Sequence, residues 1–206
     1  SGAGFQPTSG KIAESLKSVG VDAGAITKVI FTHGHGDHLW GVASNGKVNF
    51  PNASVHSAAV ERDFWNAADL KTKMPSEMHQ MVDATLASYA AIKDKLQRFN
   101  PGDEVLPGVR AIDTAGHTPG HVSFEVAGGD GLIITGDVAS SYISGFQRPD
   151  WHFAFDTIPE QAVIARKSVL ARSATDKIKL LGYHWSYPGL GVALADGTAF
   201  KYEPVV

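Results

Sequence analysis

The chain has 206 residues, 43% hydrophobic and 19% charged, the balance of one soluble globular domain with a real core. A net charge of −3 argues against a nucleic-acid partner, because phosphate backbones select basic faces. The absence of cysteine excludes disulfides, thiol nucleophiles and thiolate metal sites, and no run approaches the roughly eighteen apolar residues of a membrane span or opens the chain as an export signal.

A Gly-rich stretch, Ser1 to Gly10, opens the chain, and an amphipathic helix fits Thr8 to Val19, with Ile12, Leu16 and Val19 on one face and Gly20 closing it. Lys28 to Thr32 reads as a buried strand and leads into a His-rich loop. Ala53 to His56 suits a strand and Ser57 to Asp69 a helix. Ser76 to Phe99 reads as one long helix, its stripe of Met78, Met81, Val82, Leu86, Tyr89, Ile92, Leu96 and Phe99 being ordinary core packing.

Strand and turn signals then cover Val105 to Ile112, His121 to Val126 and, after a Gly-rich turn, Gly131 to Thr135. Thr157-Ile-Pro-Glu160 has the spacing of a capping box and starts a helix running to Ala174. Ile178 to Gly182 is a further buried strand, and Gly191 to Tyr202 forms a hairpin around Asp196-Gly197. Alternating strands and helices without repeats or a linker predict a single layered α/β domain over residues 1–206.

Nine histidines are many for such a chain, and several follow strand-like runs. Thr32-His-Gly-His-Gly-Asp-His38 follows the first run; Ala115-Gly-His-Thr-Pro-Gly-His121, Thr135-Gly-Asp137 and Gly182-Tyr-His184 follow later ones. Strand ends place side chains rigidly at a sheet rim, where distant loops can converge. His33 and His35, two apart, project to one side of an extended segment and suit one ion. Asp37 and His38 follow a glycine that lets the chain turn toward a second, and Gly34 and Gly36 limit crowding against the metals. His56, His79 and His121 read as structural histidines. No Gly-x-Ser-x-Gly elbow and no Gly-rich phosphate loop with a following Lys offers other chemistry.

This His-x-His-x-Asp-His motif, with the later His, Asp and His in order, resembles the metallo-β-lactamase superfamily. The resemblance implies a four-layer αββα sandwich in which His33, His35 and His117 bind one metal, Asp37, His38 and His184 bind a second, and Asp137 bridges them. It implies two divalent ions, zinc first and manganese, iron or cobalt as alternatives, sharing a hydroxide that Asp37 also orients as the catalytic carboxylate.

Phe50 to Trp65, Gly116 to His121 and Gly182 to Gly189 resemble the methyl parathion hydrolase-like group, and the likeness runs from Ile26 to Val205. That group and the related lactonases imply a small, neutral, hydrophobic substrate: an ester, a lactone or an organophosphate triester. Trp65 would line the leaving-group pocket, and the aromatic stretch 140–155, with Phe146 and Trp151, would line the rest. No nucleic acid or membrane is implied, a homodimer is compatible, and the cytoplasm or periplasm would suit the chain. The alternatives are a glyoxalase II-like thioesterase, which usually adds a C-terminal helical domain, and a degenerate metal-binding module without activity. The superfamily's opening strands precede the His motif, so they are expected to lie outside this chain.

Overall fold

The computed structural model describes residue 2 and residues 6–44 and 46–205, so most of the opening Ser1 to Gly4 stretch lies outside the described residues. The chain divides into two compact units, Ser1–Phe99 and Asn100–Val206. No helix among the described residues is long and apolar enough to cross a membrane.

The first unit runs α1 (Ile12–Ser18), β1 (Lys28–Ile30), α2 (Gly36–Leu39), β2 (Ala43–Ser44), β3 (Lys47–Val48), β4 (Ser54–Ala58), α3 (Ala59–Trp65), α4 (Leu70–Lys73), α5 (His79–Ile92) and β5 (Leu96–Phe99). Its main sheet has the order β1-β4-β5, all parallel, with Val29 opposite Val55 and Val55 opposite Leu96. Four of the five β4 residues are buried, as expected of a strand flanked by neighbours on both edges. In α5, Val82, Thr85, Ser88, Tyr89 and Ile92 form the buried stripe, at helical spacing. The core joins that stripe to Phe31, Leu39, Val42, Phe50, Val55, Trp65 and Leu70.

Two differences from the sequence reading have physical causes. The long helix stops at Ile92, and Leu96–Phe99 pairs with β4 instead, Phe99 opposite Ala58. Lys93, Asp94 and Lys95 form the turn, and the ladder on the open edge of β4 outweighs helical propensity. The N-terminal helix is shorter than read, starting at Ile12 with Lys11 as an N-cap that makes no side-chain cap bond.

The second unit carries β6 (Glu104–Leu106), β7 (Val109–Asp113), β8 (Val122–Val126), β9 (Leu132–Gly136), α6 (Ser144–Gln147), α7 (Pro159–Asp176), β10 (Lys179–Gly182), β11 (Leu190–Asp196) and β12 (Ala199–Pro204). Its sheet is ordered β12-β11-β10-β9-β8-β7-β6. Every pairing is antiparallel except β9 with β10, the pair that α6 and α7 connect as a crossover. The β11–β12 hairpin turns at Asp196 opposite Ala199, with Gly197 at φ 62°.

The capping box does not form. Ile158 is the N-cap of α7, Pro159 opens the helix, and Lys177 in the left-handed region closes it. Against this sheet Ile133, Val138, Phe146, Val169, Leu170, Leu180, Trp185 and Ala193 make the unit's core.

Candidate metal centre

In the first unit the chain leaves β1 at Ile30, bends at Thr32 and reaches His35, whose extended φ of −64° and ψ of 154° precede the first turn of α2. An extended run puts residues two apart on one side. His33 Nε2 accordingly stands 3.0 Å from His35 Nδ1, with the rings edge to face. Thr32 Oγ1 lies 3.1 Å from His33 Nδ1, so its oxygen can accept a hydrogen bond from an Nδ1–H tautomer that leaves the Nε2 lone pair for a cation. Asp37 and His38 sit within α2, carboxylate and imidazole 3.3 Å apart and both largely buried.

The peptide between the two histidines is clamped from both sides. Gly34 N–H donates to Glu61 Oε1 at 2.7 Å, and Gly34 C=O accepts from Thr85 Oγ1 at 3.3 Å. Trp65 Nε1 donates to the same Glu61 oxygen at 2.7 Å, and Trp40 Nε1 donates to Thr85 Oγ1 at 3.0 Å. These contacts correct the reading of Gly34 and Gly36 as relief for the metals. A Cβ on Gly34 would come within 2.4 Å of the Trp65 indole, and one on Gly36 within 2.6 Å of the Trp40 ring. The glycines make room for indoles.

In the second unit His117 follows β7, Asp137 follows β9 and His184 follows β10, each at a strand end. Asp137 Oδ2 is 3.1 Å from His184 Nε2 and 3.5 Å from His117 Nε2. His117 and Asp137 are buried, while the His184 side chain is 38% exposed. His121 is a scaffold residue: its Nε2 accepts the Asp137 N–H at 3.0 Å, and its Nδ1 lies 2.9 Å from Thr114 Oγ1 and 3.1 Å from Thr114 C=O. His56 and His79 bond locally, to Ser54 Oγ and Met74 C=O, and burial followed by the charge of Lys28 lowers the pKa of His56.

His117 Nδ1 lies 3.0 Å from Asp156 Oδ1. A carboxylate at that nitrogen accepts a hydrogen bond from Nδ1–H, which favours the tautomer whose Nε2 lone pair faces Asp137 Oδ2. Two electron-rich atoms then face each other across 3.5 Å, an arrangement that calls for positive charge there. Neutral imidazoles and buried carboxylates suit a divalent cation of the zinc type, so the donor set fits the metals the motif implies.

Burial alone would raise the Asp156 carboxyl. The His117 and Phe153 N–H bonds and the nearby Arg166 charge outweigh it and hold the group below its ordinary value of 3.8. A depressed carboxyl stabilises the fold above the unfolded value, and this contribution is lost as pH falls through the folded one. Asp156→Asn is therefore expected to flatten the acid limb of a stability–pH profile as pH falls below the unfolded carboxyl range. Urea unfolding at stepped pH checks this, and an unchanged slope would contradict it.

The residues expected to line a substrate pocket differ in their surroundings. Trp65 is 1% exposed in the first unit's core, with its N–H committed to Glu61. Phe146 is 0% exposed and packs edge to face on Trp185 and Tyr202. Trp151 is 55% exposed. Sequence reading missed Glu61, Thr85 and Asp156. Glu61 stands one helical turn before Trp65, a spacing that places both on one face of α3.

A sequence model of the metallo-beta-lactamase superfamily matches residues 3–181. AidC, a dizinc quorum-quenching lactonase solved with a product homoserine derivative, superposes with a TM-score of 0.92 at 29% identity, covering 100% of this chain and 73% of that one. The hydrolase AbOPH of the beta lactamase superfamily gives 0.91 at 28% identity, covering 98% of this chain and 72% of that one. The uncharacterized protein YobT of Bacillus subtilis (strain 168) is 28% identical over 155 residues, 71% of this chain; the match spans 62% of that curated relative's length. The chain has the α/β fold of these neighbours and belongs to the metallo-beta-lactamase superfamily.

Proposed function

We propose that this chain carries the metal centre of a hydrolase that opens lactones or cleaves related neutral esters. The observation carrying the reading is a TM-score of 0.92 and 29% identity, over 100% of the chain, to a dizinc quorum-quenching lactonase. The donor chemistry of both units supports it. By the order of the motifs in the sequence, His33, His35 and His117 would hold one divalent ion, Asp37, His38 and His184 would hold the other, and the Asp137 carboxylate would serve both. Zinc is the first assignment, with manganese, iron or cobalt next.

Two such ions, when bound, polarise a substrate C=O or P=O and lower the pKa of water from about 15.7 to about 7. The protein's own groups hold and orient. Thr32 and Asp156 fix the ring nitrogens of His33 and His117 that face away from the ligand positions. Asp37, buried beside His38, is the carboxylate assigned to orient the attacking water and hold its proton. Exposed Trp151 is the aromatic surface we assign to an apolar substrate, while Trp65 and Phe146 are each buried in the core of their own unit.

The test is the ratio of kcat/KM for a simple γ-lactone to that for a neutral aryl phosphotriester, on zinc-loaded protein including any further natural sequence. A ratio well above one is expected. A ratio well below one would instead place the protein with the phosphotriester hydrolases.

A further inference from the structure

Arg166 lies in the middle of α7 with a fully buried guanidinium. It is committed on every side. Nη2 donates to Asp156 Oδ2 at 3.0 Å, Nε to Val138 C=O at 3.0 Å, and Nη1 to Pro149 C=O at 3.1 Å and Trp151 C=O at 2.7 Å. Its carbon lies 4.1 Å over the Phe153 ring. Asp156 in turn accepts the Phe153 N–H at 3.2 Å and meets His117 Nδ1 at 3.0 Å.

One planar cation therefore grips the carboxylate that aims His117, the peptide following Asp137 and the segment carrying exposed Trp151. We infer that Arg166 is a positioning residue that sets the His117 imidazole and the 149–153 segment in one register, so that metal affinity and substrate fit depend on the same side chain. The inference rests on the function proposed above for its metal and substrate consequences.

Backbone contacts support the same alignment. Thr157 N–H and Ile158 N–H donate to the carbonyls of His117 and Gly116 at 3.0 and 2.8 Å. Gly116 has a φ of 138°, and a Cβ there would come within 2.2 Å of Ala162 N in α7. The helix start and the His117 strand end are thus in direct register, and Arg166 lies one turn beyond Ala162 along α7. The grip depends on a fork with fixed N–H directions; a lysine would keep the charge and lose the fork.

The experiment compares wild type, Arg166→Lys and Asp156→Asn by three readouts. Zinc affinity is measured by chelator competition, KM and kcat are measured for a γ-lactone, and the hydrogen-bonded imidazole N–H is followed by proton NMR of metal-free protein. Both variants are expected to lose about 10–100-fold in zinc affinity at one site, the usual range for a group that orients a metal ligand. The downfield N–H signal should move in Arg166→Lys and shift upfield in Asp156→Asn, whose neutral oxygen is a weaker acceptor, and KM should rise more than kcat falls in Arg166→Lys. A folded Arg166→Lys with wild-type zinc affinity and an unmoved signal would overturn the inference. Should Arg166→Lys fail to fold, Arg166→Gln, which keeps an N–H donor without the fork, takes its place: a moved signal supports the inference, and an unmoved signal refutes it. Wild-type protein that binds no zinc would sink the proposed function, leaving the imidazole signal to judge the positioning role.

Discussion

Asp137→Ala is expected to abolish turnover while leaving the second unit folded. The carboxylate follows β9 and faces two imidazoles, His184 at 3.1 Å and His117 at 3.5 Å. Its backbone N–H bond to His121 Nε2 is independent of the side chain, so alanine keeps the local scaffold. What it loses is the negative charge that the proposed mechanism shares between two cations. A loss of about 4 kcal/mol or more in transition-state stabilisation corresponds to roughly 10³-fold or more in kcat/KM. Steady-state kinetics and metal analysis on the same preparation check both parts. Turnover within about tenfold of wild type would refute a shared carboxylate.

Glu61→Ala is expected to cause the largest loss of stability among single substitutions near the site. Glu61 is 1% exposed, and one of its oxygens receives both the Gly34 N–H and the Trp65 indole N–H. Alanine would strand two buried donors, at about 1–3 kcal/mol each, and open a cavity besides, for a total of about 3–5 kcal/mol. Glu61→Gln offers an oxygen at the same place and should cost less than half as much, since the lost increment is that of a charged acceptor over a neutral one. Because Gly34 lies between His33 and His35, the alanine variant should also weaken metal binding. Urea unfolding of the metal-free proteins separates the two effects. Equal destabilisation by Ala and Gln would show that the charge, and not the hydrogen-bond geometry, holds this loop.

The pairing of His33 with His35 was legible because candidate metal donors follow a local pattern. Histidines two apart in an extended segment must share a side, and His33 and His35 meet at 3.0 Å as that rule requires. The β11–β12 hairpin was legible from Asp196-Gly197, and the start of α7 from Pro159 and Glu160 although the capping box itself does not form. Leu96 and Phe99 continue a helical stripe arithmetically, yet they belong to a strand, because pairing with β4 is a non-local gain that periodicity does not record. The supporting charges were harder still. Glu61 reaches Gly34 across 27 residues and Asp156 reaches His117 across 39, and neither long-range contact leaves a local pattern. Arg166 did leave a trace: it falls on the face shared by Ala162, Val169, Leu170 and Ser173, where an arginine needs a buried carboxylate to be tolerated.

Metal content tests the central claim most directly. The protein, expressed with zinc, desalted and analysed for bound metal per chain, is predicted to hold two ions, with Asp137→Ala holding one. A wild-type chain that retains one ion or none after zinc loading, while remaining folded, would contradict the account.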